Sequence, residues 1–503
     1  MIYTLGIDIG TTNVKCVLFE EGPKAVAEAT YEYPTAFPAP SWAQQNPEHW
    51  WEGCIAVIRS VLSQSGIDAA GIKAVAVSCQ SPCALLVDRT GKPLHDALIW
   101  MDRRSTEELE LLDRTVGVQR IFEITGNRLD TYFMLSELMW LRRHHPELLD
   151  KTHKILQVNG YVNMKLTGEF SIDRSNLSLT QVNDLKENNW SNELLEIIDV
   201  DPSITPQVFD CGEVIGCVTR QAAELTGLKA GTPVLAGTVD ASVAALEAGV
   251  HQDIALEMTG TSSVMLIGVN KPVTTIKLSH LTGIDDNTHY LYGAMSSTGG
   301  SLKWFRDALY GGETHEKNAY AHMDAEVVRD APEPTQLLFL PYMVGERAPI
   351  WNPDARGVYF GLSMSTNRAQ MIRAVMEGAA FALLDNLEEA EKIGLCPKQF
   401  FVLGGCSNSD IWLKIKASVI NREIIVPCNT LGAPGGLACL MAAYTGEFDT
   451  PEQAAAAGFK AAKRIEPVDA WVPRYRALYQ EYKRLYESVE PNFRSFSSFS
   501  SIN

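Results

Sequence analysis

The chain writes one local pattern twice: an apolar strand, a short Gly/Thr/Ser turn and a second apolar strand, the copies lying roughly one domain length apart. The first runs Leu5-Gly6-Ile7-Asp8-Ile9 into Gly10-Thr11-Thr12-Asn13 and resumes at Cys16-Val17-Leu18-Phe19. Residues 2–9 carry strand formers and residues 10–13 cannot continue a strand cleanly, so the segment reads as a β-hairpin. The second runs Ile254-Ala255-Leu256-Glu257-Met258 into Thr259-Gly260-Thr261-Ser262-Ser263 and resumes at Val264-Met265-Leu266-Ile267. Gly10 lets backbone approach a ligand closely, and Thr11 and Thr12 add hydroxyls to the exposed amides of the turn, which is the chemistry of a phosphate cradle. A single such turn is no more than a hairpin. Two, at equivalent places in two halves, call for a duplicated fold that closes over one phosphate-bearing ligand.

Further turns fit that scheme. Val234-Leu235-Ala236-Gly237-Thr238-Val239 reads as a buried strand that delivers Asp240 to a mouth, and Val402-Leu403-Gly404-Gly405-Cys406-Ser407-Asn408 ends an apolar strand ahead of a helix. Asp8 stands at a strand end beside the first turn, where a carboxylate can hold Mg2+ directly or through water. Asp240 has a second reading, as the cap of a helix over Ala241-Ser242-Val243-Ala244-Ala245. No G-x-x-x-x-G-K-[ST] occurs, so a Walker-type loop is not the source of phosphate binding.

At 503 residues the chain exceeds the size at which one core keeps growing. Two domains are expected, over 1–247 and 248–490, followed by a Ser-rich tail over 491–503 expected to be mobile. The N-terminal half mixes an early hairpin with later alternation of strand and helix: Asn46-Pro47 opens a helix with stripe Trp50, Cys54, Ile55, Ile58 and Leu62, and Ile72–Ser78 and Ala84–Asp88 are strands. That is the pattern of a ribonuclease-H-like sheet between helices. A formal net charge of −18 excludes a nucleic-acid or anionic-membrane surface, either of which needs a basic field. The ten cysteines show no C-x-x-C pair, which suits reduced core thiols in a cytoplasmic protein. The N-terminus has no basic region followed by an apolar segment, and no span approaches ~18 uninterrupted apolar residues, so neither secretion nor membrane insertion is expected.

Gly357-Val358-Tyr359-Phe360-Gly361-Leu362, followed by Gln370-Met371-Ile372-Arg373-Ala374-Val375-Met376-Glu377, joins these turns in an order that resembles the FGGY carbohydrate kinases, within the sugar kinase, Hsp70 and actin superfamily. The resemblance covers nearly the whole chain. It implies an α/β fold of two ribonuclease-H-like, actin-like ATPase domains with a hinged cleft, and transfer of phosphate from ATP, with Mg2+, to a small sugar or polyol. Partners beyond that substrate are not implied, and a homodimer is one assembly open to such a chain.

Carried over residue by residue, the resemblance makes Asp240 the catalytic base and Asp8 the Mg2+-associated carboxylate. Gly10, Thr11 and Thr12 match the first phosphate loop, Gly260, Thr261 and Ser262 the second, and Gly404, Gly405 and Asn408 the adenosine motif. Lys15 is either a phosphate-binding cation or a strand residue held in a salt bridge. The Trp-x-Asp-x-Arg pattern survives as Trp100-Met101-Asp102-Arg103-Arg104; Trp100, Asp102 and Arg103 are expected at the acceptor, with a surface salt bridge as the alternative for the charged pair. Phe133 either walls the sugar or belongs to the core. The turn between two strands, where xylulokinases carry Gln-Met-His-Gly and glycerol kinases Gln-Arg-Glu, here reads Gln80-Ser81-Pro82-Cys83, so Gln80 and Ser81 are left as its acceptor contacts. Glu137 stands where the family signature usually has Lys. The texture of Trp42–Pro47 and Pro341–Pro349 is closest to the xylulokinase and gluconokinase branches, and the acceptor set is a ketose such as xylulose or another pentulose, gluconate, a hexulose or an alditol. The rival readings are a nucleotide-gated binding or chaperone-like protein of the same superfamily, and a nucleotide-gated sugar sensor without kinase activity.

Overall fold

The computed structural model describes residues 2–310, 318–428 and 430–498. It builds two seven-stranded sheets on one plan. In the first, Tyr3–Ile9 pairs antiparallel with Asn13–Glu20 and parallel with Ile72–Cys79. In the second, Ile254–Thr259 pairs antiparallel with Ser263–Val269 and parallel with Gln399–Gly404. A parallel neighbour ends at the same sheet edge as the strand it joins, so residues following both strands converge there. Hence Ile9 lies opposite Cys79, with the Gln80 amide donating to the Ile9 carbonyl at 2.9 Å, and Thr259 lies opposite Gly404.

Helix Pro47–Ser65 begins as its sequence requires, with the Asn46 side chain accepting from the Glu48 amide and proline in the first turn. Its buried stripe is Trp50, Cys54, Val57, Ile58 and Val61, while Ile55 and Leu62 sit at its margin. The expected buried strand at 234–239 is two short ones, Pro233–Leu235 and Thr238–Val239, both on Ile72–Cys79. Gly237 breaks them apart at φ +75°, and a Cβ there would lie 1.8 Å from the Val77 carbonyl oxygen.

Helix Ala433–Tyr444 belongs to the second half in sequence yet packs on the first sheet, sharing a core with Ala74, Ala76, Leu235 and Val243 through Leu437 and Leu440. Its small residues meet helix Asp240–Glu247: a Cβ on Gly436 would stand 1.8 Å from the Val243 carbonyl oxygen. Close packing is thus spent on joining the two halves behind the cleft. Helix Val472–Ser498 runs through the start of the expected mobile tail, because Phe493 is buried and faces Tyr486; residues 499–503 lie outside the described residues. Cys16 and Cys439 are buried free thiols, as their apolar surroundings in the sequence suggest. Among the described residues no helix is long and apolar enough to cross a membrane.

Candidate active site

A cavity of about 360 Å³ opens between the two sheets, with Asp8, Thr11, Gln80, Ser81, Trp100 and Tyr132 on one wall, Met258, Ser262, Val264, Tyr292 and Arg347 on the other, and Asp240 between them. A second, of about 490 Å³, is lined by Thr259, Gly260, Thr261, Gly299, Lys303, Asp324, Gly405, Asn408 and Trp412. The 260–262 turn separates them: Gly260 and Thr261 face the second cavity and Ser262 the first.

Asp240 is the first residue of its helix, with Val239 as the cap, so the capping reading fails. Its Oδ1 accepts from the Ala241 amide at 2.6 Å, which orients the carboxylate. Burial first, and then the charge of Asp8, push its pKa up to about 7. Asp8 accepts from the Ser78 hydroxyl at 2.8 Å; burial raises its pKa, and Ser78 and Lys15 offset part of the rise. Among the described residues no cation lies within 4.0 Å of either carboxylate. Two mutually repelling carboxylates at one cavity suit a divalent cation, and one or two protein oxygens suit Mg2+, which keeps waters and phosphate oxygens as its other ligands.

Both turns offer amides. Gly10 donates to the Asn13 carbonyl at 2.9 Å and Gly260 to the Ser262 carbonyl at 2.8 Å, closing each turn on itself. The amides of Thr11, Thr12, Thr261 and Ser262 donate to no protein group among the described residues. The first turn is also tied to the acceptor wall, since the Trp100 indole donates to the Thr11 hydroxyl at 3.1 Å. Gly404 sits at φ +88°, and a Cβ on it would meet the Thr259 carbonyl oxygen at 2.2 Å; only glycine lets these two strand ends lie side by side.

Gln80 is almost fully buried, donates to Gln45 Oε1 at 2.8 Å, and among the described residues its own Oε1 has no partner; the buried Ser81 hydroxyl likewise has none among them. Both residues line the cavity, and a buried polar atom without a partner calls for one. Tyr132, not Phe133, reaches the cavity: its hydroxyl donates to the Ser81 carbonyl at 3.0 Å, while Phe133 is fully buried, edge-on to it at 4.9 Å.

Asp102 and Arg103 lie outside the cavity. Asp102 is buried and spent on structure, accepting from the Ala43 amide at 2.7 Å and pairing with Arg104 at 2.7 Å. Arg103 pairs with Asp130 at 2.6 Å. Nearby Glu137 is buried; burial first and then Asp102 raise its pKa, with Arg104 and Arg103 opposing the rise. Lys15 lines neither cavity and bridges to Glu28 at 3.1 Å, the salt-bridge alternative its strand position allows.

Residue reading of the sequence missed Tyr292, Arg347 and Lys303. Arg347 lies over the Trp100 ring at 5.8 Å, so it spans the cleft, and no carboxylate lies within 4.0 Å of its guanidinium among the described residues. Neighbouring Glu346 anchors it, accepting from the Ser296 and Arg347 amides at 2.7 and 2.8 Å. The only signal was a charged pair inside a Gly/Pro-bounded loop, Gly345-Glu346-Arg347-Ala348-Pro349.

Residues 3–247 match the FGGY family of carbohydrate kinases, N-terminal domain, and residues 256–445 match its C-terminal domain. The chain belongs to the FGGY family of carbohydrate kinases. It is 28% identical over 502 residues to a xylulose kinase of Bacillus subtilis strain 168, covering 99% of each chain. A gluconokinase of the same organism is 28% identical over 506 residues, covering 99% of this chain and 98% of the relative. The crystal structure of a xylulose kinase from Rhodospirillum rubrum superposes with a TM-score of 0.91 at 28% identity, covering 98% of this chain and 100% of that one. The FGGY kinase carries the actin-like ATPase fold of these neighbours.

Proposed function

We propose that this sugar kinase transfers the terminal phosphoryl group of ATP to a hydroxyl of a ketose of the xylulose type. The observation that carries the reading is the pair of cavities divided by the 260–262 turn, one glycine-lined and the other holding two carboxylates. Nucleotide occupies the larger cavity, with Gly404, Gly405 and Asn408 against the adenosine and the two turns at the phosphates. Asp240 accepts the proton of the acceptor hydroxyl; its lifted pKa suits a base working near neutrality, and the Ala241 amide holds one oxygen so that the other faces the acceptor. Mg2+ at Asp8 would neutralise the charge on the phosphates during transfer. Gln80, Ser81 and Trp100 read the sugar hydroxyls, with Tyr132, Tyr292 and Arg347 added to the set. Asp102 and Arg103 act from behind, as ties of the Trp100 loop.

A sugar acid is the second reading. Arg347 favours it, as a cation in the acceptor cavity with no carboxylate within 4.0 Å among the described residues, and so does likeness to a gluconokinase at the same identity as to a xylulose kinase. ADP release from ATP and Mg2+, measured with D-xylulose, D-gluconate and glycerol, decides between them. The reading expects D-xylulose to raise the rate most, and acceleration by none of the three refutes it.

A further inference from the structure

Under the floor of the nucleotide cavity lies a charged cluster that the transfer chemistry does not use. Lys416, on helix Asp410–Ile420, and Glu257, on strand Ile254–Thr259, are both fully buried and form an ion pair. The pair is continued by hydrogen bonds. The Thr259 hydroxyl donates to Glu257 Oε1 at 3.0 Å and accepts from the Cys406 thiol at 3.1 Å, and Lys416 Nζ lies 3.4 Å from the same hydroxyl. Thr259 leads directly into the 260–262 turn, and Cys406 belongs to the turn after Gly404, so one hydroxyl joins the two nucleotide turns. Trp412, another wall of that cavity, lies with its ring 5.0 Å from Lys416 Nζ. Burial raises the Cys406 pKa, which keeps the thiol protonated as a donor.

Apolar residues of like volume commonly replace a buried ion pair at no loss of stability, so stability alone gives little reason to keep this one. We propose that Lys416 and Glu257 are positioning residues that lock the phosphate turn 260–262 to the adenosine turn 404–408 and so set nucleotide affinity without touching nucleotide. The inference rests on the assignment of the larger cavity to nucleotide.

The test compares wild type with the double variant Glu257→Gln/Lys416→Met, which removes both charges together and leaves neither buried alone. Calorimetric titration with ADP should show Kd raised about tenfold, the scale expected when binding groups drift from their set positions. KM for D-xylulose or D-gluconate, whichever wild type accepts, should stay within about twofold, since acceptor contacts lie beyond the 260–262 turn. A merely structural pair would instead leave ADP affinity in the folded protein unchanged, whether or not the melting temperature falls, and that result overturns the proposal. Thr259→Val is the second probe, cutting the link while the ion pair remains; it too should weaken ADP binding with acceptor KM unmoved, and native ADP affinity in this folded variant also overturns the proposal. Failure of wild type to bind ADP would strike the nucleotide assignment itself, a separate outcome.

Discussion

The two halves build the same hairpin and use it differently. In the first, Ile9 pairs with Val14 across a four-residue turn, 10–13, and the strand beneath it hides Ile7 and Ile9 while turning Asp8 to the cavity. In the second, Thr259 pairs with Ser263 across a three-residue turn, 260–262; Met258 faces the cavity, and the charge lies underneath, in Glu257, paired with Lys416. One copy therefore turns a carboxylate, Asp8, to the cavity with no cation within 4.0 Å among the described residues. The other neutralises its charge internally, in the buried Glu257–Lys416 ion pair. The difference teaches that the hairpin is a shared scaffold whose one or two side chains at each strand end set what each copy presents, which on the proposed function is acceptor chemistry in one and nucleotide holding in the other.

The sharpest way to break this division is Asp240→Asn, which should lower kcat by about 10²–10⁴-fold, the usual worth of a positioned base. Steady-state ADP release at saturating acceptor measures it, and near-native turnover would move the base elsewhere. Next comes Gly404→Ala, whose methyl must displace the Thr259 carbonyl from a left-handed position. A loss of about 1–3 kcal/mol in unfolding free energy is expected, read by denaturant titration.

The paired changes Thr11→Val and Thr261→Val sharpen the comparison. Each should cost about 1–2 kcal/mol in ATP binding for one lost hydrogen bond to a charged group. Only Thr11→Val should also raise acceptor KM, because Thr11 receives the Trp100 indole hydrogen bond. Equal effects on acceptor KM would remove the asymmetry.

The smallest effect is on stability. The Asp240 pKa is raised on folding, so between the ordinary aspartate value and about 7 the unfolded chain binds fewer protons than the folded one, and stability falls as pH rises through that window. Asp240→Asn should therefore melt higher than wild type at pH 8, by a margin that shrinks as pH falls toward 4, as followed by thermal denaturation. A margin independent of pH would mean the carboxylate is not strained by burial.

Much of this was legible in the sequence, and the limits are physical. Both hairpins, the Asp240 helix start and the Gly404 turn are local, set by strand formers and by backbone that only glycine permits. The choice of Tyr132 over Phe133 turned on which of two adjacent aromatics faces inward, a matter of one residue in phase that loop sequence does not fix. Asp102 and Arg103 drew attention as charges near a cleft, yet each found a partner close by, Arg104 and Asp130. Arg347 was invisible for the opposite reason: it acts on a wall built by the other half of the chain, and no local spacing encodes that reach.

The division of labour between the halves is tested most directly by calorimetric titration of ADP into Asp240→Asn. The account predicts wild-type ADP affinity in a protein whose phosphate transfer is slowed by about 10²–10⁴-fold. Loss of ADP binding in the folded variant would contradict it, because Asp240 would then serve the nucleotide and not the acceptor.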